Sequence, residues 1–257
     1  MQAIKLAGLE PAAVFGYFEK ICSIPHGSGD MKKIADFCES FANDHSFRCV
    51  RDNSDNVVIF KPASQGYENA EPVILQGHLD MVCQKSENTE IDFSAEGIRP
   101  YIDGDFIKAR STSLGADNGI AVAYVLAILE SDEVPHPKIE AVFTTDEETS
   151  LVGATAMDVS DLQGKYLLNL DSEDEGVLTV SCAGGVRVVG TLPVNRQDGT
   201  WTGLRVRVCG LQGGHSGVQI NEGRGCAMQL MGRALYHASK TAPILIEHLS
   251  GGNKDNV

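Results

Sequence analysis

Four short segments each set a histidine or a carboxylate at the end of an apolar run or the mouth of a helix. In QGHLDMV, His78 and Asp80 flank Leu79, so an extended backbone turns both polar side chains to one face. One ring nitrogen of His78 can then bind a metal while the other N–H is oriented by a carboxylate such as Asp80. A structured turn explains H-x-D equally well. In SLGADNGIA, Asp117 opens a long apolar segment, and on that motif alone an N-cap is the favoured reading. FTTDEETS gathers Asp146, Glu147 and Glu148 behind an apolar run, where like charges repel unless a cation or a proton offsets them. The ordinary alternative is a solvated acidic turn. LLNLDSEDE places Asp171 at the end of another such run, with a strand-ending turn as its alternative.

Each segment alone is weak, but the four at successive strand ends point together to a metal site. One histidine with several carboxylates suits borderline divalent ions, and a carboxylate shared between two ions makes a two-metal hydrolytic centre. Zinc leads, with manganese and cobalt as alternatives. Of the adjacent glutamates only one is needed as a ligand, which leaves the other as a general base.

The elements that must position these groups follow from the apolar periodicity. Val14, Phe15, Phe18, Ile21 and Cys22 recur at helical spacing between Pro11 and Ile24, as do Ile34, Phe37, Cys38 and Phe41. The intervening loop IPHGSGD offers Ser28 or Asp30 as a cap for the second helix. Asn56 to Phe60 and Pro72 to Gln76 read as strands, and YIDGDFIKA as a hairpin about its Asp-Gly turn. Asn118 to Glu130 predicts a buried helix, Ile139 to Thr144 a strand, and LVGATAMD a helix start. LLNLDSEDEGVLTVSCAGG supplies two further strands. To about Gly185 the alternation is that of a three-layer α/β domain, and ligands of open α/β sheets gather at the carboxyl ends of the strands. Beyond it, VRVVGTLPV and LRVRVCGL predict strands, Arg224 to Ala238 a helix and Ile244 to Leu249 a strand, an α+β pattern. The domains expected are therefore 1–185 and 186–257.

Composition agrees with a globular, cation-binding protein. In 257 residues, 35 acidic against 21 basic side chains give a formal charge of −14, which argues against nucleic-acid phosphates and anionic membrane as partners. A hydrophobic fraction of 42% excludes a disordered chain. The seven scattered cysteines contain no C-x-x-C pair and read as reduced thiols, with no export or membrane signal, so the cytoplasm is the expected compartment.

H-L-D-M-V, G-A-D-N-G-I, D-E-E-T and L-N-L-D-S-E, followed in order by C-A-G-G and G-G-H-S-G, closely resemble the aminoacyl-histidine (Xaa-His, carnosine-cleaving) dipeptidases. Those belong to the co-catalytic zinc metallopeptidases that include aminoacylase, carboxypeptidase G and peptidase T. The resemblance implies a zinc-exopeptidase-like catalytic domain and the start of a lid through which the chain forms a homodimer. It also implies hydrolysis of a dipeptide, preferably Xaa-His such as β-alanyl-histidine, by a water bridging two zinc ions. By the same resemblance His78 and Asp171 bind one zinc and Glu148 the other, Asp117 bridges both, Asp80 orients His78, and Glu147 is the general base. The Asp117–Asn118 peptide bond is expected to be cis, and His215 to reach an active site across the dimer and stabilise the oxyanion. His26, His45, His136, His237 and His248 match no ligand position and read as surface or loop residues.

Relatives of this kind continue past GGNKDNV and supply a last histidine ligand from further along. The sequence therefore predicts a fragment or truncated product, and weak or no activity for 257 residues alone. The alternatives are a tripeptidase or N-acyl amino-acid amidohydrolase of the same family, or an inactive metal-binding or dimerisation module.

Overall fold

A computed structural model describes residues 6–149, 151–172, 175–181, 184, 188–214 and 219–251. The chain divides into two units, Met1–Gly184 and Gly185–Val257.

The first unit opens with a short 3-10 turn, Leu6–Gly8, and two helices, α1 (Ala12–Ser23) and α2 (Lys32–Asp44). Their apolar stripes are the expected ones: Val14, Phe18, Ile21 and Cys22 on α1, and Ile34, Cys38 and Phe41 on α2, are buried. Neither Ser28 nor Asp30 caps α2; the residue before it is Met31, and no side chain closes that end. Ser28 is occupied elsewhere, as described below.

Five strands form one sheet: β1 (Arg48–Arg51), β2 (Val57–Lys61), β3 (Val73–His78), β6 (Ile139–Thr144) and β7 (Tyr166–Asn169), in the order β1-β2-β6-β3-β7. A separate hairpin joins β4 (Pro100–Asp103) to β5 (Phe106–Ala109) through Gly104, whose positive φ of 62° suits its turn. Within the sheet β1 and β2 run antiparallel to their neighbours, while β3 is parallel to both β6 and β7. The registers pair His78 with Thr144 and Gln76 with Asn169, so the loops after β3, β6 and β7 leave the sheet at the same edge.

Alternation along the strands makes the two faces. Val57, Ile59, Leu75, Ala141 and Phe143 pack with α1, α2 and α3 (Ala116–Glu130), while Val58, Phe60, Ile74 and Val142 pack with Met157 and Leu162, beyond the short helix α4 (Val152–Ala156). Helices thus cover the first face and the segment carrying Met157 and Leu162 lies on the second, in the α/β class expected from the sequence. Helix α3 is apolar around most of its circumference and buries Val122, Val125, Leu126 and Leu129. Its far end is held from the sheet: Lys61 Nζ donates to the carbonyls of Ser131 at 2.5 Å and Ile128 at 3.3 Å, satisfying acceptors that a helix end leaves open.

In the second unit the helix expected over Arg224 to Ala238 is present as α5 (Ala227–Thr241), after a 3-10 turn at Ile220–Glu222. The strands expected over 186–194, 204–211 and 244–249, and a second one after Asp171, are not formed among the described residues. The alternating pattern is real, but a strand exists through a neighbour's ladder of hydrogen bonds, and these segments have no partner strand among the described residues. Among the described residues no helix is long and apolar enough to cross a membrane.

Candidate metal centre

His78 is the last residue of β3 and its side chain is 1% exposed, on the floor of a cluster of acids. Asp117 lies in the first turn of α3, Glu147 and Glu148 lie in the turn after β6, and Asp171 lies two residues beyond β7. The parallel registers deliver three of these segments to one edge, and the helix delivers the fourth.

The helix is entered from Gly115 with no side-chain cap there, and Asp117 (φ −85°, ψ 107°) and Asn118 (φ −110°, ψ 24°) depart from helical angles. The bond between them is cis, as the resemblance implied. Asp117 presents Oδ1 to His78 Nε2 at 3.0 Å, with Asp171 Oδ2 3.9 Å from the same nitrogen. Donor atoms of His78, Asp117 and Glu148 all lie within 4.8 Å of one another.

Two residues not singled out from the sequence hold this geometry. Asn118 is buried; its Oδ1 accepts the His78 backbone N–H at 3.2 Å, and its Nδ2 donates to Asp171 Oδ1 and the Leu170 carbonyl, each at 3.3 Å. One carboxamide thus ties the ends of β3 and β7 to α3. Asn56, also buried, accepts the Thr145 N–H at 3.0 Å and donates to the Gly153 carbonyl at 2.9 Å, bracketing both ends of the acidic turn. Burial is what marks such residues, since a buried amide must find partners, and the sequence around them carries no signal of it.

Asp80 is fully buried and accepts from both glutamate amides, Glu147 N–H to Oδ1 at 3.0 Å and Glu148 N–H to Oδ2 at 3.3 Å. Its Oδ1 lies 3.4 Å from His78 Nδ1, which is 2.9 Å from the Asp80 carbonyl. Burial works against the Asp80 carboxylate, but hydrogen bonds from His78, the Glu147 amide and Ser28 outweigh it and hold its pKa below the usual range. Burial also works against a charged His78, yet the bonds to Asp117 and Asp80 and the charges of Asp80 and Asp171 raise its pKa to about 10. Glu147 and Glu148 are pushed up, first by burial; the negative charges of Asp171, Asp80 and Asp117 add to it at Glu147, and those of Asp117 and Glu147 at Glu148.

Burial is the first influence at each of these groups, and at His78 the surrounding acids outweigh it and favour positive charge at the bottom of the site. The donor set fits a divalent ion: one imidazole nitrogen at the bottom of the site, carboxylate oxygens on several sides, and an open approach past Asp117, whose side chain is 54% exposed.

Residues 74–239 match peptidase family M20/M25/M40. The chain belongs to that family. It is 39% identical, over 98% of its length, to the cytosol non-specific dipeptidase of Escherichia coli, of which it covers 52%. Its fold matches the crystal structure of an aminoacylhistidine dipeptidase from Vibrio alginolyticus with a TM-score of 0.66 and 37% identity, covering 92% of this chain and 49% of that one. A Bacillus cereus aminopeptidase, PepT, shares the fold at a TM-score of 0.52 and 22% identity over 63% of this chain and 43% of its own. The chain thus spans about half the length of the first two relatives.

His78, Asp80, Asp117, Glu147, Glu148 and Asp171, expected as one site, are drawn together at one sheet edge. His215 lies outside the described residues. The histidines set aside as surface or loop residues include two that are buried, His26 at 3% and His136 at 6% exposure. Both sit in loops that turn inward, and each satisfies Nδ1 locally, on the carbonyls of Ile24 and Pro137 respectively.

Proposed function

We propose that this chain carries the metal centre of a metal-dependent dipeptidase that hydrolyses unblocked dipeptides, with Xaa-His, such as β-alanyl-histidine, as its preferred class. The observation that supports it best is the convergence of His78, Asp117 and Glu148 donor atoms within 4.8 Å of one another, with the backbone of Glu147 pinned beside them by Asp80. The relatives' own names support dipeptide cleavage and differ on breadth, one non-specific and one aminoacylhistidine. The Xaa-His preference is accordingly the finer part of the proposal.

His78 and Asp171 would hold one ion, Glu148 a second, and Asp117 would face both. Zinc is the proposed metal, two ions per site. Bound there, such ions supply Lewis-acid polarisation of the scissile carbonyl and acidify a water. Asp80 keeps His78 Nδ1 engaged, so that Nε2 is the nitrogen presented to the centre. Glu147 is the general base: its carboxylate takes the proton of the attacking water and returns it to the departing amine. Its raised pKa, set first by burial, brings it nearer the range in which a carboxylate both accepts and releases a proton near neutrality. His215 is proposed to stabilise the oxyanion, residues 186–257 to form a lid through which two copies pair, and the cytoplasm to be the compartment.

Metal analysis combined with hydrolysis of β-alanyl-histidine and alanyl-alanine tests this. Glu147→Gln should lower kcat by about 10²–10⁴ while metal content is retained. Parent protein that takes up no metal, or a Glu147→Gln variant as active as a parent that turns over, would overturn the reading.

A further inference from the structure

The loop between α1 and α2, His26 to Asp30, contributes no donor to the metal centre, yet it is fastened to the centre at four points. Met81 N–H donates to the His26 carbonyl at 3.1 Å and Ser28 N–H to the Met81 carbonyl at 3.3 Å, pairing the loop with the segment just after Asp80. Ser28 Oγ donates to Asp80 Oδ2 at 2.8 Å, and the Gly29 N–H donates to Asp146 Oδ1 at 2.8 Å. The loop thus grips both the orienting acid and the first residue of the acidic turn.

Asp80 has two oxygens and several donors to serve. Oδ1 takes the Glu147 amide and lies beside His78 Nδ1, while Oδ2 takes the Glu148 amide at 3.3 Å, a longer and weaker bond. A carboxylate held only by these can rotate about its Cβ–Cγ bond and favour one glutamate over the other. The Ser28 hydroxyl, at 2.8 Å on Oδ2, is the closest donor to that oxygen and fixes the carboxylate plane so that each oxygen keeps its own amide. We propose that Ser28 is a positioning residue of this centre: through Asp80 it sets the backbone of Glu147 and Glu148, the residues read above as base and ligand. Its effect on metal binding rests on that reading; its effect on the two amides does not.

Amide hydrogen exchange on metal-free protein, with Zn²⁺ titration by calorimetry on the same samples, separates the two. Ser28→Ala should speed exchange at Glu147 and Glu148 by about tenfold, the loss of a hydrogen bond to a charged group, with Ile59 and Val142 in the central strands unchanged. Zn²⁺ affinity should fall by about 10–100-fold, as for removal of other groups that orient ligands. Ser28→Thr, which keeps the hydroxyl, should restore both. Unchanged exchange at Glu147 and Glu148, equal acceleration at Ile59 and Val142, or failure of Ser28→Thr to restore would each overturn the positioning role. Parent protein that takes up no Zn²⁺ would instead count against the metal-centre reading, and the exchange arm would still decide the part played by Ser28.

Discussion

Gly77 faces Asn118 so closely that a Cβ at position 77 would lie 2.5 Å from Asn118 Oδ1 and 3.3 Å from the Ala121 methyl. The contact lets α3 settle onto β3 with Asn118 reaching the next backbone N–H, that of His78. Gly77→Ala should therefore force Asn118 off that N–H and lift the start of α3. A cost of about 1–3 kcal/mol is expected for such overpacking, read by urea denaturation. Weakened metal binding should accompany it, because Asp117 rides on the same turn.

Asn118→Ala removes the crowding but leaves the buried His78 N–H without its acceptor and Asp171 without that donor. A loss of about 1–3 kcal/mol is expected from the orphaned group. If the two substitutions act through one contact, Gly77→Ala combined with Asn118→Ala should cost less than the sum of the two. Strict additivity in this double-mutant cycle would show that they are independent.

Metal addition should stabilise the fold, since the donors converge only in the native state. Zn²⁺ at about 100 times its dissociation constant should add about 2.7 kcal/mol, and His78→Ala should abolish that increment. Calorimetric melting with and without chelator checks both. An undiminished increment in His78→Ala would place the ion elsewhere.

Glu140 predicts a pH dependence away from the centre. It is fully buried on β6, where Oε2 accepts the N–H groups of Gln163 at 2.8 Å and Gly164 at 3.0 Å, and Oε1 lies 2.9 Å from Lys138 Nζ. Burial opposes its charge, but the Lys138 contact and the two amides win and lower its pKa from 4.5. A carboxylate with a lowered folded pKa stabilises the fold above its unfolded pKa, and that contribution is lost as pH falls through the folded value. Parent protein should exceed Glu140→Gln in stability by about 1–3 kcal/mol near neutrality. The gap should close below about pH 4. Denaturation curves for both proteins across this range check it, and a gap independent of pH would refute it.

The parts of the fold that were readable from sequence are those where one force dominates. Strands β3 and β6 are mainly apolar runs ending in polar residues, and α1 and α2 carry clean amphipathic stripes, so burial largely specifies them. Strand β1 was not foreseen because Arg-Cys-Val-Arg has little to bury; it exists by pairing with β2 at the sheet edge. Local chemistry favours a cap at Ser28, and at Asp117 on its own motif. Each meets a partner distant in sequence, Asp80 and His78 respectively, which no local pattern encodes. The metal-centre residues were legible as a set because their mutual repulsion demands a common explanation, whereas Asn56 and Asn118 look unremarkable until their surroundings are known. The segments expected as strands in the second unit show the converse: alternation states which face a strand would bury, but supplies no neighbour to pair with.

Helix α3 is fixed at both ends, by Asn118 on the His78 N–H at one and by Lys61 on the last carbonyls at the other. It behaves as a strut that cannot slip along its axis, because a shift of one residue would break both attachments at once. Asp117 is then the stationary jaw of the centre. Its backbone should therefore hold its place whichever ion is bound, and structures loaded with Mn²⁺ and with Zn²⁺ should superpose at Asp117.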